Sequence, residues 1–196
     1  SDGNIDNREI ALIKSMCEKS ALFKDFNFQE EINSLVSKIN TRGKEFISYY
    51  FDLLGKSTLT EQEELTLIDF AIKTIKAEKV SIVVGGKSME RSGMLAKVEG
   101  YFHEAGAETM VISGVEPDPS FETVMRGAQE MLGFGPDLIV GLGGGSAMDA
   151  AKAMWIFYEH PELKTMESVL PPNEFPKLRE KARLCCIPST SGTASE

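Results

Sequence analysis

The sequence predicts an α/β fold in which a Rossmann-like, doubly wound parallel sheet follows a helical N-terminal segment. From about residue 79, short β-branched or apolar runs alternate with segments of helical periodicity, as in parallel strands joined by helical crossovers. Before residue 79, apolar residues recur at helical spacing and strand-and-turn punctuation is almost absent. We therefore predict two regions, a helical segment over residues 1–78 and an α/β domain over residues 79–196.

The N-terminal region carries apolar stripes over residues 10–16, 32–39, 46–54 and 65–75, with Gly55 as a predicted helix end. Thr60 and Glu63 form a capping-box pattern that predicts the start of the last of these helices. These helices either pack against the rest of a larger chain or form a surface for a partner or an oligomer.

The α/β region contains four predicted strands, at residues 80–84, 108–112, 137–140 and 182–187. Predicted helices between them cover residues 94–102, 119–132 and 146–158, and Pro119 is placed in the first turn of its helix. Parallel sheets bind ligands at the carboxyl ends of their strands. Three of the loops that follow these strands are rich in Gly, Ser or Thr, so the sequence predicts a ligand site at that edge.

Composition narrows the class of function. The 196 residues carry a net charge of −9, which disfavours nucleic acid as a partner. The three cysteines do not suggest a disulfide framework, since the number is odd and two of them are adjacent. Neither a signal-peptide pattern nor an apolar run long enough to span a bilayer is present. We therefore expect a cytoplasmic protein with reduced thiols and a small-molecule ligand.

The strongest candidate site is a glycine-rich turn after the third predicted strand. Gly143, Gly144 and Gly145 end the apolar run, and Ser146 opens the next helix, which we predict it to cap. Glycines let the backbone approach a pyrophosphate, and a helix N-terminus offers free N–H groups. The pattern is neither G-x-G-x-x-G nor a Walker A loop. A tight turn without a ligand is the alternative, and the backbone entropy that three glycines cost disfavours it.

The loop after the first predicted strand is the second candidate. Dinucleotide-binding folds place an acid near a strand end to bind the ribose 2′-hydroxyl, and small or basic residues replace it where a 2′-phosphate must fit. Here Gly86 stands without an acid, and Lys87, Ser88 and Arg91 could meet a phosphate dianion. The alternative is a solvated polar loop.

Two further loops give weaker signals. The hydroxyl-rich segment from Ser189 follows the fourth strand and suits hydrogen bonding to a cofactor. Asp118 stands between two prolines after the second strand, where turn chemistry is an equal explanation. His103 and His160 lack metal-ligand spacing and are predicted to be structural, and Cys185 and Cys186 are predicted to be small apolar residues of a buried strand.

Taken in order, these motifs resemble the iron-containing (group III) alcohol dehydrogenase family. The resemblance rests on Gly143-Gly144-Gly145-Ser146-x-x-Asp149-x-Ala151-Lys152 and on the segment 187–196, covers about residues 79–196, and is strongest to NADPH-dependent butanol dehydrogenases. It implies that the turn from Gly143 through Ala147 wraps the pyrophosphate and that Asp149 lies near the nicotinamide. It implies that Ser189, Thr190 and Thr193 line the cofactor, and that Asp118 belongs to the same cleft. Gly86 followed by Lys87 and Ser88 is similar to NADP(H)-preferring members, so NAD(H) is the less favoured cofactor.

The resemblance also has limits. Residues 1–78 do not match the β-hairpin with which the family opens. In the family, a C-terminal helical domain holds Fe²⁺ or Zn²⁺ through an Asp and three His that follow this motif, and these are absent up to Glu196. We therefore expect a cofactor-binding portion without catalytic or metal-binding residues, inactive on its own.

For the full-length protein, the resemblance implies a metal-dependent enzyme that reversibly oxidises a primary alcohol to an aldehyde with NADP(H). Its partners would be small-molecule alcohols and aldehydes, without nucleic acid or membrane, and a homo-oligomer is compatible. Two alternatives stay open: an enzyme similar to glycerol dehydrogenases or dehydroquinate synthases, and a non-catalytic dinucleotide-binding or interaction module.

Overall fold

The computed structural model describes residues 27–43 and 60–189, together with the single positions 11, 14, 15, 45 and 49. The chain divides into two compact units, residues 1–66 and 67–196, with the division inside a helix. Most of the predicted stripes over residues 10–16 and 46–54, and the predicted helix end at Gly55, lie outside the described residues. The predicted domain boundary after residue 78 stays a prediction.

Two helices precede the sheet in the described part of the chain, α1 (Phe28–Arg42) and α2 (Glu61–Ile75). The predicted capping box of α2 is confirmed. The Thr60 backbone N–H donates to Glu63 Oε2 at 2.8 Å, and the Glu63 N–H donates to Thr60 Oγ1 at 3.4 Å. The hydrogen bond from the Thr60 backbone lowers the pKa of Glu63. The reciprocal pair satisfies two backbone donors that a helix start leaves open.

The sheet comprises four parallel strands in the order β2-β1-β3-β4. Its elements, in chain order, are β1 (Lys79–Gly85), α3 (Ser88–Arg91), α4 (Met94–Glu104), β2 (Glu108–Val115), α5 (Phe121–Phe134), β3 (Leu138–Gly143), α6 (Gly145–Glu159) and β4 (Arg183–Pro188). A short 3-10 helix (Met166–Val169) lies between α6 and β4. The predicted parallel α/β sheet is confirmed.

Helices cover both faces of this sheet. Successive side chains of a strand point to opposite sides, and here apolar side chains on both sides are buried against helices. On one face, Val83 and Ile139 pack with α5 and α6. On the other, Ile82 and Val140 pack with α3, α4 and the second half of α2. Two separate apolar clusters result, which is the arrangement of a doubly wound fold.

The strand order reverses between β1 and β3. The chain passes from β1 outward to β2, then returns across β1 to β3 and continues to β4 on the other side. Such a reversal leaves a crevice outside the carboxyl ends of the two central strands, where open α/β sheets bind ligands. The loops at residues 86–88 and 144–146 follow these two strands, so the fold places both at the crevice.

Several predicted details were wrong, and among them β3 continues beyond residue 140 to Gly143. β2 continues beyond residue 112 to Val115, because a register shift between Val83 and Gly85 lets Gly85 pair with Val115. Helix α5 begins at Phe121 rather than Pro119, since the Ser120 side chain accepts from the Thr123 N–H and caps it. The side chains of β4 are half-buried rather than buried, because β4 is an edge strand of the described sheet.

The start of β4 is held by a buried carboxylate at the end of α6. Glu159 is 5% exposed, and its two oxygens accept from the backbone N–H groups of Glu180, Lys181 and Ala182 at 2.9–3.2 Å. The Trp155 indole N–H donates to the same carboxylate at 3.2 Å and to the Ala182 carbonyl at 3.0 Å. This cluster attaches the C-terminal end of α6 to the strand that leads into the last loop of the site.

Candidate functional site

The turn after β3 requires glycine at its first position. Gly143 has φ +136°, a backbone conformation that residues with side chains rarely adopt. A Cβ at Gly143 would lie 3.5 Å from Ala147 Cβ and 3.8 Å from Met89 Cγ, so space alone would admit one. The backbone conformation, rather than crowding, therefore selects glycine here.

Helix α6 starts at this turn and presents its N-terminus to the crevice. Gly144 is the N-cap, with extended backbone (φ −81°, ψ −175°), and Gly145 is the first helical residue. The prediction that Ser146 caps the helix was wrong, because the chain turns helical before Ser146 and places it in the first turn. The first N–H groups of a helix have no acceptor inside the helix. With the positive end of the helix dipole they form a site suited to a phosphate.

Close contact between β3 and α6 fixes the position of that N-terminus. A Cβ at Gly141 would stand 3.0 Å from Met148 Cα and 3.1 Å from Ala151 Cβ. Contacts under 3.4 Å would force the neighbouring atoms to move, and here one of them belongs to the backbone. Gly141 thus lets the helix lie directly on the strand. Sequence reasoning missed this role, although a glycine inside an apolar strand is a signal of close approach.

The loop after β1 lies beside the glycine turn. A Cβ at Gly85 would be 3.7 Å from Ala147 Cβ, and the buried Met89 reaches Gly143. Gly86 has φ +49°, and its N–H donates to the Val115 carbonyl at 3.4 Å. It is followed by exposed Lys87 and Ser88, and Ser88 begins the one-turn helix α3.

The loop after β4 also reaches the turn, because the Ser189 N–H donates to the Gly143 carbonyl at 2.8 Å. Most of the predicted site residues therefore lie at one edge of the sheet: Gly86, Lys87, Ser88, the turn from Gly143 to Ala147, and Ser189. Asp149 is exposed on α6, one turn beyond Gly145. Thr190 and Thr193 lie outside the described residues.

Asp118 lies in the loop after β2, exposed and with φ +52°. A non-glycine residue in this conformation stores backbone strain, although Asp tolerates it better than most residues. The neighbouring Glu116 is occupied elsewhere: it accepts from the Ser120 N–H at 2.8 Å and from Thr123 Oγ1 at 2.8 Å. The Ser120 backbone hydrogen bond is the main cause that lowers the pKa of Glu116 to about 2. These hydrogen bonds hold the Glu116 carboxylate at the start of α5.

The two histidines contact their own neighbours, and the structural roles predicted for them stay a prediction. His103 Nε2 lies 2.8 Å from Thr109 Oγ1. His160 contacts Glu162 and the Lys177 carbonyl, and the latter raises the pKa of His160. Burial raises the pKa of Cys185. Residues 27–43 and 60–189 contain no group of three or more His, Cys, Asp or Glu that could hold a metal ion.

The described helices include none with the length and apolar character that crossing a membrane requires.

A family model described as iron-containing alcohol dehydrogenase matches residues 56–196. The NADPH-dependent butanol dehydrogenase of Clostridium saccharobutylicum is 57% identical over 125 residues, which are 64% of this chain and 32% of that protein. A bifunctional aldehyde-alcohol dehydrogenase of Escherichia coli is 39% identical over 125 residues, 60% of this chain and 14% of that protein. The chain therefore spans a third or less of the length of these curated relatives.

Solved structures similar to this chain are also iron-containing alcohol dehydrogenases, of which it covers about a third. An iron-containing alcohol dehydrogenase from Thermococcus thioreducens superposes with a TM-score of 0.57 and 39% identity, covering 66% of this chain and 34% of that one. An iron-containing alcohol dehydrogenase from Thermotoga maritima superposes with a TM-score of 0.55 and 29% identity, over the same shares.

Proposed function

Because the chain belongs to the iron-containing alcohol dehydrogenase family, we propose that it is the cofactor-binding portion of a metal-dependent alcohol dehydrogenase that uses NADP(H). One observation carries this proposal: the glycine turn after β3 presents the N-terminus of α6 at the point where the strand order reverses. The similarity to an NADPH-dependent butanol dehydrogenase supports the choice of cofactor. The proposed reaction is the reversible oxidation of a primary alcohol to an aldehyde.

In this proposal the pyrophosphate lies on the turn after β3. The N–H groups of Gly145 and Ser146 donate to its oxygens, and the Ser146 hydroxyl adds a further donor. Gly143 and Gly144 leave room for the close approach, and Ala147 keeps the wall of the turn small. A backbone cradle of this kind attracts an anion locally in a protein whose net charge is −9.

The remaining residues hold the two ends of the cofactor. Asp149, one turn into α6, is placed toward the nicotinamide, and Ser189 with Thr190 and Thr193 lines the cofactor from the loop after β4. Asp118, in the loop after β2, lines the same cleft. When bound, the nicotinamide supplies the hydride chemistry, and these residues bind and orient it.

The described residues contain no ligand set for the family's metal. Both histidines already contact neighbouring groups. We expect this 196-residue chain on its own to bind NADP(H) without turning over an alcohol. Calorimetric titration with NADPH and NADH, paired with an assay for alcohol-dependent NADP⁺ reduction, tests this. Binding of neither cofactor would contradict the proposed function.

The 2′-phosphate preference is proposed to come from the loop after β1, and Gly86→Asp should reverse it. A carboxylate there would accept from a ribose 2′-hydroxyl and repel a 2′-phosphate. We expect the ratio of NADPH to NADH affinity to fall by at least about tenfold, which corresponds to about 1.4 kcal/mol. Calorimetric dissociation constants for the two cofactors measure this ratio.

Gly86→Asn is the matched control, because Asn has a similar size and also tolerates the left-handed conformation at φ +49°. It lacks the charge, so it should leave most of the NADPH preference in place. If Gly86→Asp leaves the ratio of NADPH to NADH affinity unchanged, the loop after β1 does not determine whether a 2′-phosphate or a 2′-hydroxyl is preferred.

A further inference from the structure

A carboxylate closes the loop that follows β2. Glu116 Oε1 accepts from the Ser120 N–H at 2.8 Å, and Thr123 Oγ1 donates to Glu116 Oε2 at 2.8 Å. The hydrogen bond from the Ser120 backbone is the main cause that lowers the pKa of Glu116 to about 2, so the carboxylate is charged at neutral pH. Hydrogen bonds to a charged group are stronger than those between neutral groups. The Glu116 side chain therefore ties the start of the loop to the start of α5.

The loop that Glu116 closes contains a residue in a strained conformation. Asp118 has φ +52° and stands between two prolines. A residue before a proline favours extended backbone at negative φ, so Pro119 disfavours the conformation that Asp118 adopts. Such a conformation persists where the surrounding structure imposes it, and strained residues of this kind cluster at binding sites. The hydrogen bonds of Glu116 join the two ends of the loop and so restrict the conformations open to Asp118.

This loop lies on the adenosine side of the proposed cofactor site. The strand order is β2-β1-β3, so β1 separates the loop after β2 from the glycine turn after β3. Gly85 pairs with Val115, and the Gly86 N–H donates to the Val115 carbonyl at 3.4 Å. The loop after β2 thus begins beside the loop after β1, which we propose to bind the 2′-phosphate of the adenosine ribose. The exposed Asp118, three residues beyond Val115, is therefore placed on the adenosine side of the pyrophosphate.

The geometry points to Glu116 as a positioning residue, which holds Asp118 against the adenosine end of the cofactor without contacting the cofactor itself. This inference rests on the proposed function and extends it to the loop after β2. The hydrogen bonds of Glu116 preorganise the loop, so binding does not have to supply the free energy of ordering it. Loss of these hydrogen bonds lets Asp118 relax to negative φ and move away from the cofactor. Glu116 acts through its hydrogen bonds in this account, and its charge serves only to strengthen them.

The test compares the NADPH affinity of the 196-residue chain with that of its variants, measured by calorimetric titration. Glu116→Ala should weaken NADPH binding about tenfold, the size expected for the loss of one hydrogen-bonded contact. Glu116→Gln should stay within about threefold of the unaltered chain, because its amide oxygen can accept from Ser120 and its NH₂ can donate to the Thr123 hydroxyl oxygen. Both variants remove the charge, so rescue by the amide separates positioning through hydrogen bonds from an effect of charge.

Backbone chemical shifts of Asp118 supply a second readout, because they report its φ and ψ. Glu116→Ala should move these shifts toward the values of extended backbone, and Glu116→Gln should leave them in place. Thr123→Val removes one of the donors to Glu116 and should weaken NADPH binding about threefold, since one of the two hydrogen bonds remains. Far-UV circular dichroism establishes that each variant is folded, and Thr123→Val replaces Glu116→Ala in the comparison if the latter does not fold.

Glu122→Ala is the matched control, because it removes an exposed acid from the first turn of α5 and leaves the hydrogen bonds of Glu116 in place. It should change NADPH affinity by less than about twofold, as surface substitutions do. If the folded Glu116 or Thr123 variant binds NADPH as tightly as Glu122→Ala, the role of Glu116 is overturned and the proposed function stands. Equal losses in Glu116→Ala and Glu116→Gln overturn it as well. If the unaltered chain binds neither NADPH nor NADH, the proposed function itself fails, and the role of Glu116 fails with it.

Discussion

Glu159→Ala should lower the free energy of unfolding by about 3 kcal/mol, because it removes the shared acceptor of the N–H groups at the start of β4, including that of the buried Ala182. The carboxylate accepts from Trp155 and from the backbone of Glu180, Lys181 and Ala182. Water can reach the exposed Glu180 and Lys181, but Ala182 is buried, and the buried Trp155 would keep only the Ala182 carbonyl as an acceptor. For a protein of this size the change corresponds to a fall in Tm of roughly 6–12 °C. Chemical denaturation and calorimetry measure both quantities.

Glu130→Ala provides the comparison, since Glu130 is a partly exposed acid whose described contact is a surface ion pair with Arg126. Removing it should cost no more than about 0.5 kcal/mol. Glu159→Gln should fall between the two, because its amide NH₂ would face an N–H donor where the carboxylate now accepts. Equal stability of Glu159→Ala and Glu130→Ala would show that the carboxylate does not hold β4 to α6.

Gly143→Ala should weaken NADPH binding by at least about tenfold, which corresponds to about 1.4 kcal/mol. The cause is the backbone: φ +136° is available to glycine and costs other residues about 1–3 kcal/mol. To relieve that strain, the turn would rotate and carry the N–H groups of Gly145 and Ser146 away from the pyrophosphate. The Ser189 N–H would also lose its acceptor, the Gly143 carbonyl. Calorimetric titration with NADPH measures the loss.

Gly133→Ala introduces the same methyl group at a helical glycine of α5, where a Cβ would meet nothing within 4 Å. It should leave NADPH affinity unchanged and add about 0.5–1 kcal/mol of stability, because alanine loses less backbone entropy in a helix. NADPH affinity of Gly143→Ala equal to that of Gly133→Ala would mean that the turn conformation does not matter for the cofactor.

Local sequence predicted the strands of the sheet because each is a short β-branched or apolar run bounded by glycine or polar residues. The end of β2 was missed for a reason that is not local. Val115 belongs to the strand because Gly85 pairs with it across a register shift in β1. Pairing between segments 30 residues apart in sequence is set by the tertiary fold, and no single-segment pattern carries it.

The cap of α6 shows a similar limit within the site. Glycine and serine are both common at N-caps, so Gly144 and Ser146 were competing starts for the same helix. The backbone decided between them, since β3 still pairs with β4 at Gly143 and the chain becomes helical two residues later. The loop could be recognised from its glycines, but the residue that begins the helix could not.

Glu159 had no signal in the sequence at all. The helical pattern does not distinguish Glu159 from any other acid near a helix end. Its partners at residues 180–182 lie more than 20 positions away in the sequence. A buried carboxylate can be identified only when the groups that donate to it are known. Met89 was missed for the same reason, because its burial depends on the position of β3.

Backbone amide shifts mapped during NADPH titration of the isotope-labelled chain show whether NADP(H) binds at the carboxyl edge of the sheet. We expect saturable shifts at Gly86, Gly145, Ser146 and Ser189, with little change at Asp137 on the opposite edge. Shifts centred on the opposite edge, or an unchanged spectrum at saturating NADPH, would contradict it.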